Sequence, residues 1–140
     1  MEDDLIARAQ EASRSAHAPY SGIHVGAAIR SATGALYCGA NVENAAYPLG
    51  TCAESGAIAA GVRAEGGRFR IAKIAVWAED REGQAIAASP CGGCRQRIRE
   101  LAVGGDAAVH FPWRGGAIRT ATIDELLPYA FELPSRRSGS

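Results

Sequence analysis

The sequence predicts an α/β protein, a three-layer α/β/α sandwich around a mixed sheet of roughly five strands. Three observations lead there. The chain has 140 residues, enough for one sizeable core and too few for two independent ones. A hairpin pattern comes early, with an apolar run on either side of the turn signal Ser31-Ala32-Thr33-Gly34. After it, helical and strand patterns alternate, the order that feeds a sheet covered by helices on both faces. Residues 1–134 are expected to form a single domain, and 135–140, Ser-Arg-Arg-Ser-Gly-Ser, a disordered tail.

In chain order, the apolar spacing from Leu5 through Ala12 predicts a helix ending near His17, before Pro19 and Gly22. Residues 24–30 and 35–40 read as the antiparallel hairpin strands. A loop with Asn41, Pro48 and Gly50 follows, and the Ala-rich stretch 52–62 then reads as a helix despite Gly56 and Gly61. Residues 71–77, Ile-Ala-Lys-Ile-Ala-Val-Trp, predict a strand. Pro90 opens a helix over 91–101. Residues 107–111 and, more briefly, 117–120 predict two further strands. A last helix begins at Ile123, capped by Thr122.

Composition narrows the function classes. Fifteen basic and 15 acidic side chains give a formal net charge of +0, which removes the long-range attraction that gathers a protein onto nucleic acid or anionic lipid. Neither is expected as a partner. The N-terminus Met1-Glu2-Asp3-Asp4 is acidic where a signal peptide is basic, and no apolar run approaches the ~18 residues of a membrane span. A cytoplasmic protein is expected. In a reducing compartment its 4 cysteines read as metal ligands, catalytic thiols or core residues before disulfides.

Cys91-Gly92-Gly93-Cys94 places two thiols at the first turn of a predicted helix, where both can reach one point and where the helix dipole favours thiolate. A dithiol redox motif has the same spacing. The balance is tipped by Thr51-Cys52-Ala53-Glu54, a third cysteine that also opens a predicted helix. Three thiols without a fourth ligand match catalytic zinc, whose remaining position takes water, better than structural zinc. Cys38, in a strand pattern, reads as a core thiol. Glu54 lies in the same turn as Cys52, where its carboxylate can meet a metal-activated water without becoming a ligand; without Cys52 it would read as a dipole partner of its helix. The strings Cys52-Ala53-Glu54 and Pro90-Cys91-Gly92-Gly93-Cys94 fit the signature of zinc nucleobase deaminases, in its all-cysteine form.

From about Ala18 to Phe131 the chain resembles the small, homotetrameric cytidine deaminases. The resemblance is carried by Ala18-Pro19-Tyr20-Ser21, Val25-Gly26-Ala27-Ala28, Asn41-Val42-Glu43-Asn44-Ala45-Ala46-Tyr47, Cys52-Ala53-Glu54, Ser89-Pro90-Cys91-Gly92-Gly93-Cys94-Arg95-Gln96 and Leu126-Leu127-Pro128. It implies one Zn2+ per subunit, a small pyrimidine nucleoside as substrate, a homotetramer and a place in pyrimidine salvage. By the same resemblance Asn41 and Glu43 bind the ribose hydroxyls, the backbone at Ala53 meets the pyrimidine ring, and Phe131 helps close a neighbour's pocket. Tyr47 reads equally as interface, substrate contact or core. At Ile23 the family usually has Phe, whose ring packs on the pyrimidine; Ile gives apolar contact without stacking. At Ser55 it commonly has Arg, which offsets the thiolates, so Ser55 alters the surroundings of the metal, and the helix N-termini with Arg95 become the expected compensation.

The expected reaction is hydrolytic deamination of cytidine or deoxycytidine to the uracil nucleoside and ammonia, with Glu54 as base and then acid. Rival expectations are a deaminase of a modified cytosine nucleoside or cytosine-containing antibiotic, a deaminase of RNA or DNA, a non-catalytic zinc-binding interaction module, and a dithiol oxidoreductase.

Overall fold

A computed structural model of the protein describes residues 4–134; the tail expected at 135–140 lies outside them. Strands β1 (His24–Ser31), β2 (Leu36–Ala40), β3 (Ile71–Glu79), β4 (Ala108–Pro112) and β5 (Ile118–Thr122) form one sheet in the order β2-β1-β3-β4-β5. β1 is antiparallel to both β2 and β3, β3 is parallel to β4, and β4 is antiparallel to β5. The mixed five-stranded sheet is as the sequence predicts.

Residue alternation along the strands sorts the two faces. Ala28 and Ala75 face one side, where Leu5 and Ala9 of helix α1 (Leu5–Ser13) pack on them. Ala27, Ile29, Ile74 and Val109 face the other, against Ala53 and Ala57 of α2 (Ala53–Glu65) and Ile98 of α3 (Gly92–Leu101). A single-turn helix, α4 (Ile123–Leu126), closes the fold with a capping box in which Thr122 and Glu125 bond each other's backbone N–H groups. No helix among the described residues is long and apolar enough to cross a membrane.

Helix α1 stops at Ser13, short of the expected His17. The Ser13 hydroxyl turns back to the Gln10 carbonyl at 2.6 Å, and the chain leaves the helix so that His17 N–H can reach the Asn41 carbonyl at 3.0 Å. A tertiary bond overrides a helical pattern. At the far end of α2, Glu65 Oε2 accepts from Ser31 Oγ, Thr33 Oγ1 and Tyr37 OH at 2.9, 2.9 and 2.7 Å. These bonds, that from Tyr37 foremost, hold the Glu65 carboxyl below its ordinary range and tie the helix to the hairpin.

Helix α2 lies so close to β2 that a methyl at Gly39 would overlap backbone atoms of Ala53 and Ala57. Gly56 has room, its nearest neighbour for a methyl being Gly39 Cα at 3.6 Å. Gly39→Ala is therefore expected to destabilise by about 1–3 kcal/mol through overpacking, whereas Gly56→Ala stabilises by about 0.5–1 kcal/mol through helix propensity. Denaturant unfolding of the two variants, read side by side, checks the sign at each position.

Candidate functional site

Because β1 is antiparallel to both of its neighbours, β2 and β3 run the same way and end on the same edge of the sheet. Helices α2 and α3 each follow one of these strands and pack on the same face. Their N-termini therefore open side by side, and Cys52, the N-cap of α2, meets Cys94, in the first turn of α3. The sulfurs are 2.7 Å apart, and both thiols are free. A carboxylate oxygen of Glu54 joins them in a group whose ligand atoms all lie within 4.8 Å of one another. Cys91, the exposed N-cap of α3, has its sulfur outside that group.

The electrostatics follow from burial and hydrogen bonding. Cys94 donates to Cys52 and brings its thiol down to about 5, with the Ser55 hydroxyl at 3.3 Å, the Ser55 N–H and the Arg97 charge acting the same way against burial. As the donor, and buried as well, Cys94 is pushed far above the usual thiol range. Glu54 is only 4% exposed, and burial raises its carboxyl above the ordinary range, an effect that the negative charge on Cys52 reinforces.

Soft sulfur donors at two helix N-termini, with a third thiol at the start of the second helix, are a donor set that fits zinc. A buried carboxyl beside such sulfurs, its proton affinity raised, is placed for proton exchange.

Cys52 also lines a cleft of about 540 Å³, together with Tyr20, Asn41, Glu43 and Tyr47. Asn41 is fixed by accepting from Val25 N–H at 2.8 Å and donating to the Ile23 carbonyl at 3.0 Å. Glu43 accepts from Tyr20 N–H at 3.0 Å, Ser21 N–H at 3.1 Å and the Ser21 hydroxyl. The Ser21 bonds foremost keep its carboxyl below the usual range. Each side chain retains free lone pairs or an N–H for a ligand. The loop between them is closed by paired bonds of 2.9 Å joining Val42 and Thr51.

Of the remaining expected residues, Ala53, Ile23 and Phe131 lie off the cleft lining. Ala53 is fully buried, and Ile23 is partly exposed with its carbonyl held by Asn41. Tyr47 packs edge-on against Tyr20, with ring centroids 6.1 Å apart. The Phe131 ring stays exposed while the Gln96 side chain clasps its backbone, donating at 2.8 Å and accepting at 3.0 Å.

Arg95 departs from its expected part. It donates to the Pro90 carbonyl at 2.7 Å, the Leu126 carbonyl at 2.9 Å and Ser89 Oγ at 3.0 Å, so it braces the loop before Cys91 instead of facing the sulfurs. Sequence reasoning also passed over Ser21, Gln96 and Arg97, which donates to Cys94 Sγ at 3.7 Å. The signal for Arg97 was its spacing of three residues from a thiol on a predicted helix.

Residues 1–106 match the sequence model of the family described as the cytidine and deoxycytidylate deaminase zinc-binding region. The chain is 38% identical to a cytidine deaminase of Sporosarcina psychrophila over 129 residues, 92% of this chain and 90% of that protein. To the cytidine deaminase of Mycobacterium tuberculosis strain H37Rv it is 35% identical over 136 residues, 95% and 93% of the two chains. The crystal structure of cytidine deaminase from Burkholderia pseudomallei is similar with a TM-score of 0.77 at 38% identity, covering 91% of this chain and 96% of that one. Fold, thiol cluster and sequence together place this chain in the cytidine and deoxycytidylate deaminase family, whose members are zinc-dependent hydrolases.

Proposed function

We propose that this protein hydrolyses the C4 amino group of cytidine and deoxycytidine, consuming water and giving uridine or deoxyuridine and ammonia. The observation that carries the reading is Cys52, shared by two features: it lines the cleft, and it lies within 4.8 Å of a buried Glu54 carboxylate. One zinc per subunit would be held by Cys52, Cys94 and Cys91. When bound it would supply Lewis acidity that lets a water ionise near neutral pH.

Glu54 takes one proton of the attacking water and passes it to ring N3; it then takes the remaining proton from the hydroxyl added at C4 and delivers it to the amino group, which leaves as ammonia as the C4 carbonyl forms. Asn41 and Glu43 hold the ribose hydroxyls, their orientation fixed by the bonds to Val25, Tyr20 and Ser21. Ala53 offers backbone to the pyrimidine, Ile23 gives it apolar contact without stacking, and Tyr47 flanks the cleft. Ser55 supplies a neutral hydrogen bond to Cys52.

Tyr129, Phe131 and Leu133 are 94%, 67% and 75% exposed on the segment clasped by Gln96. Such an apolar segment calls for a partner surface. It supports a homotetramer in which Phe131 closes a neighbour's cleft. The enzyme works in the cytoplasm, in pyrimidine salvage.

The test is to incubate the purified protein with cytidine, deoxycytidine, 5-methylcytidine, free cytosine and an aminoacylated cytosine antibiotic, following ammonia and bound metal. Ammonia from cytidine and deoxycytidine by a protein carrying one zinc per chain is the expected result. Release from the antibiotic alone would move the assignment to that substrate class. A zinc-loaded protein inert toward all five would be a binding module.

A further inference from the structure

We propose that Arg97 is a positioning residue for the metal centre, donating to the Cys94 sulfur and carrying the positive charge that offsets the thiolates. The inference rests on the zinc-thiolate reading of the site. Three thiolates around a divalent ion leave one negative charge uncompensated, and an electron-rich ligand set makes the metal a poorer Lewis acid. A nearby cation that donates to sulfur withdraws electron density from it and restores acidity.

The neighbours of the sulfurs narrow the choice. Ser55 reaches Cys52 at 3.3 Å with a neutral hydroxyl. Arg95 is committed to two carbonyls and Ser89. Arg97 places Nη1 3.7 Å from Cys94 Sγ.

Helix geometry explains how it gets there. Side chains on a helix lean toward its N-terminus, so a residue three positions after Cys94 lies over the turn that carries the sulfur. Gly93 leaves the space: a methyl there would sit 3.2 Å from Arg97 Nη1 and 4.0 Å from Cys91 Sγ. The guanidinium thus borders the first turn of α3, beside Cys94 and near Cys91. Arg97 lies at the exposed surface, so replacing it leaves the core intact.

The test compares the full-length wild type with Arg97→Met and Arg97→Lys. In each, cobalt(II) replaces zinc, and the thiolate-to-cobalt charge-transfer band is recorded. A hydrogen bond to thiolate stabilises the sulfur lone pair, so Arg97→Met is expected to move the band to longer wavelength and Arg97→Lys to bring it part of the way back. With zinc bound, Arg97→Met should lower kcat for cytidine by about 10-fold or more, as loss of an outer-shell partner typically does, and leave KM within a factor of about two.

An unmoved band in Arg97→Met, or an unchanged kcat, would overturn the proposal while leaving the deaminase assignment standing. A wild type that takes up cobalt without any thiolate band would overturn the metal-site reading and this proposal with it.

Discussion

Glu54→Gln lowers turnover of cytidine by about 10²–10⁴-fold, the usual worth of a positioned acid–base group, and leaves zinc in place. Gln has nearly the shape of Glu, so the buried pocket at 4% exposure stays filled. What disappears is a carboxyl that can both accept and return a proton. The affinity of Glu54 for its proton is raised, first by burial and then by the charge on Cys52, which favours its holding the proton between the two transfers. Ammonia release and metal content measured on one preparation check the claim. Retention of more than a tenth of the activity would remove Glu54 from proton transfer, and parallel loss of zinc would make it a ligand.

Cys94→Ala abolishes metal binding and activity together, and the loss shows in stability as well as in turnover. Cys94 is fully buried and contacts the Cys52 sulfur at 2.7 Å, so alanine removes a central donor and leaves a small void. A ligand bound only by the folded chain stabilises it by about 4 kcal/mol when present at a thousand times its dissociation constant. The wild type should therefore melt at a higher temperature with zinc than with a chelator. For Cys94→Ala the two melts should coincide. A variant that keeps stoichiometric zinc, or still shows the zinc-dependent shift, would exclude Cys94 from the ligand set.

The strands were legible in the sequence because apolar runs and the Gly34 turn state them locally, and Gly34 indeed has φ 91°. The convergence of Cys52 with Cys94 was legible because each lies at the start of a predicted helix, whereas the Cys91 sulfur, expected to join them, lies outside the group. The end of α1 was not, since the bond from His17 to Asn41 lies outside any local pattern. Arg95 and Arg97 show why side-chain roles near a site are harder to read. Successive helix positions are turned by about 100°, so the arginine next to Cys94 in sequence points away toward Pro90 and Leu126, while the one three residues on reaches the sulfur. An arginine on a helix ordinarily looks solvated until the thiol beside it has a purpose. The clasp of Gln96 on Phe131 depends on the chain returning to α3, which no spacing within either segment announces.

Helix α3 carries more than the sulfur at its first turn. The Arg95 brace reaches Leu126, and Gln96 grips the chain at Phe131, so the residues directly after Cys94 moor the trailing end of the polypeptide. One turn of backbone is thereby a common hub for chemistry and for the apolar surface offered outward. Damage that unwinds it, from whatever source, disarms the catalyst and unfastens that surface in a single event.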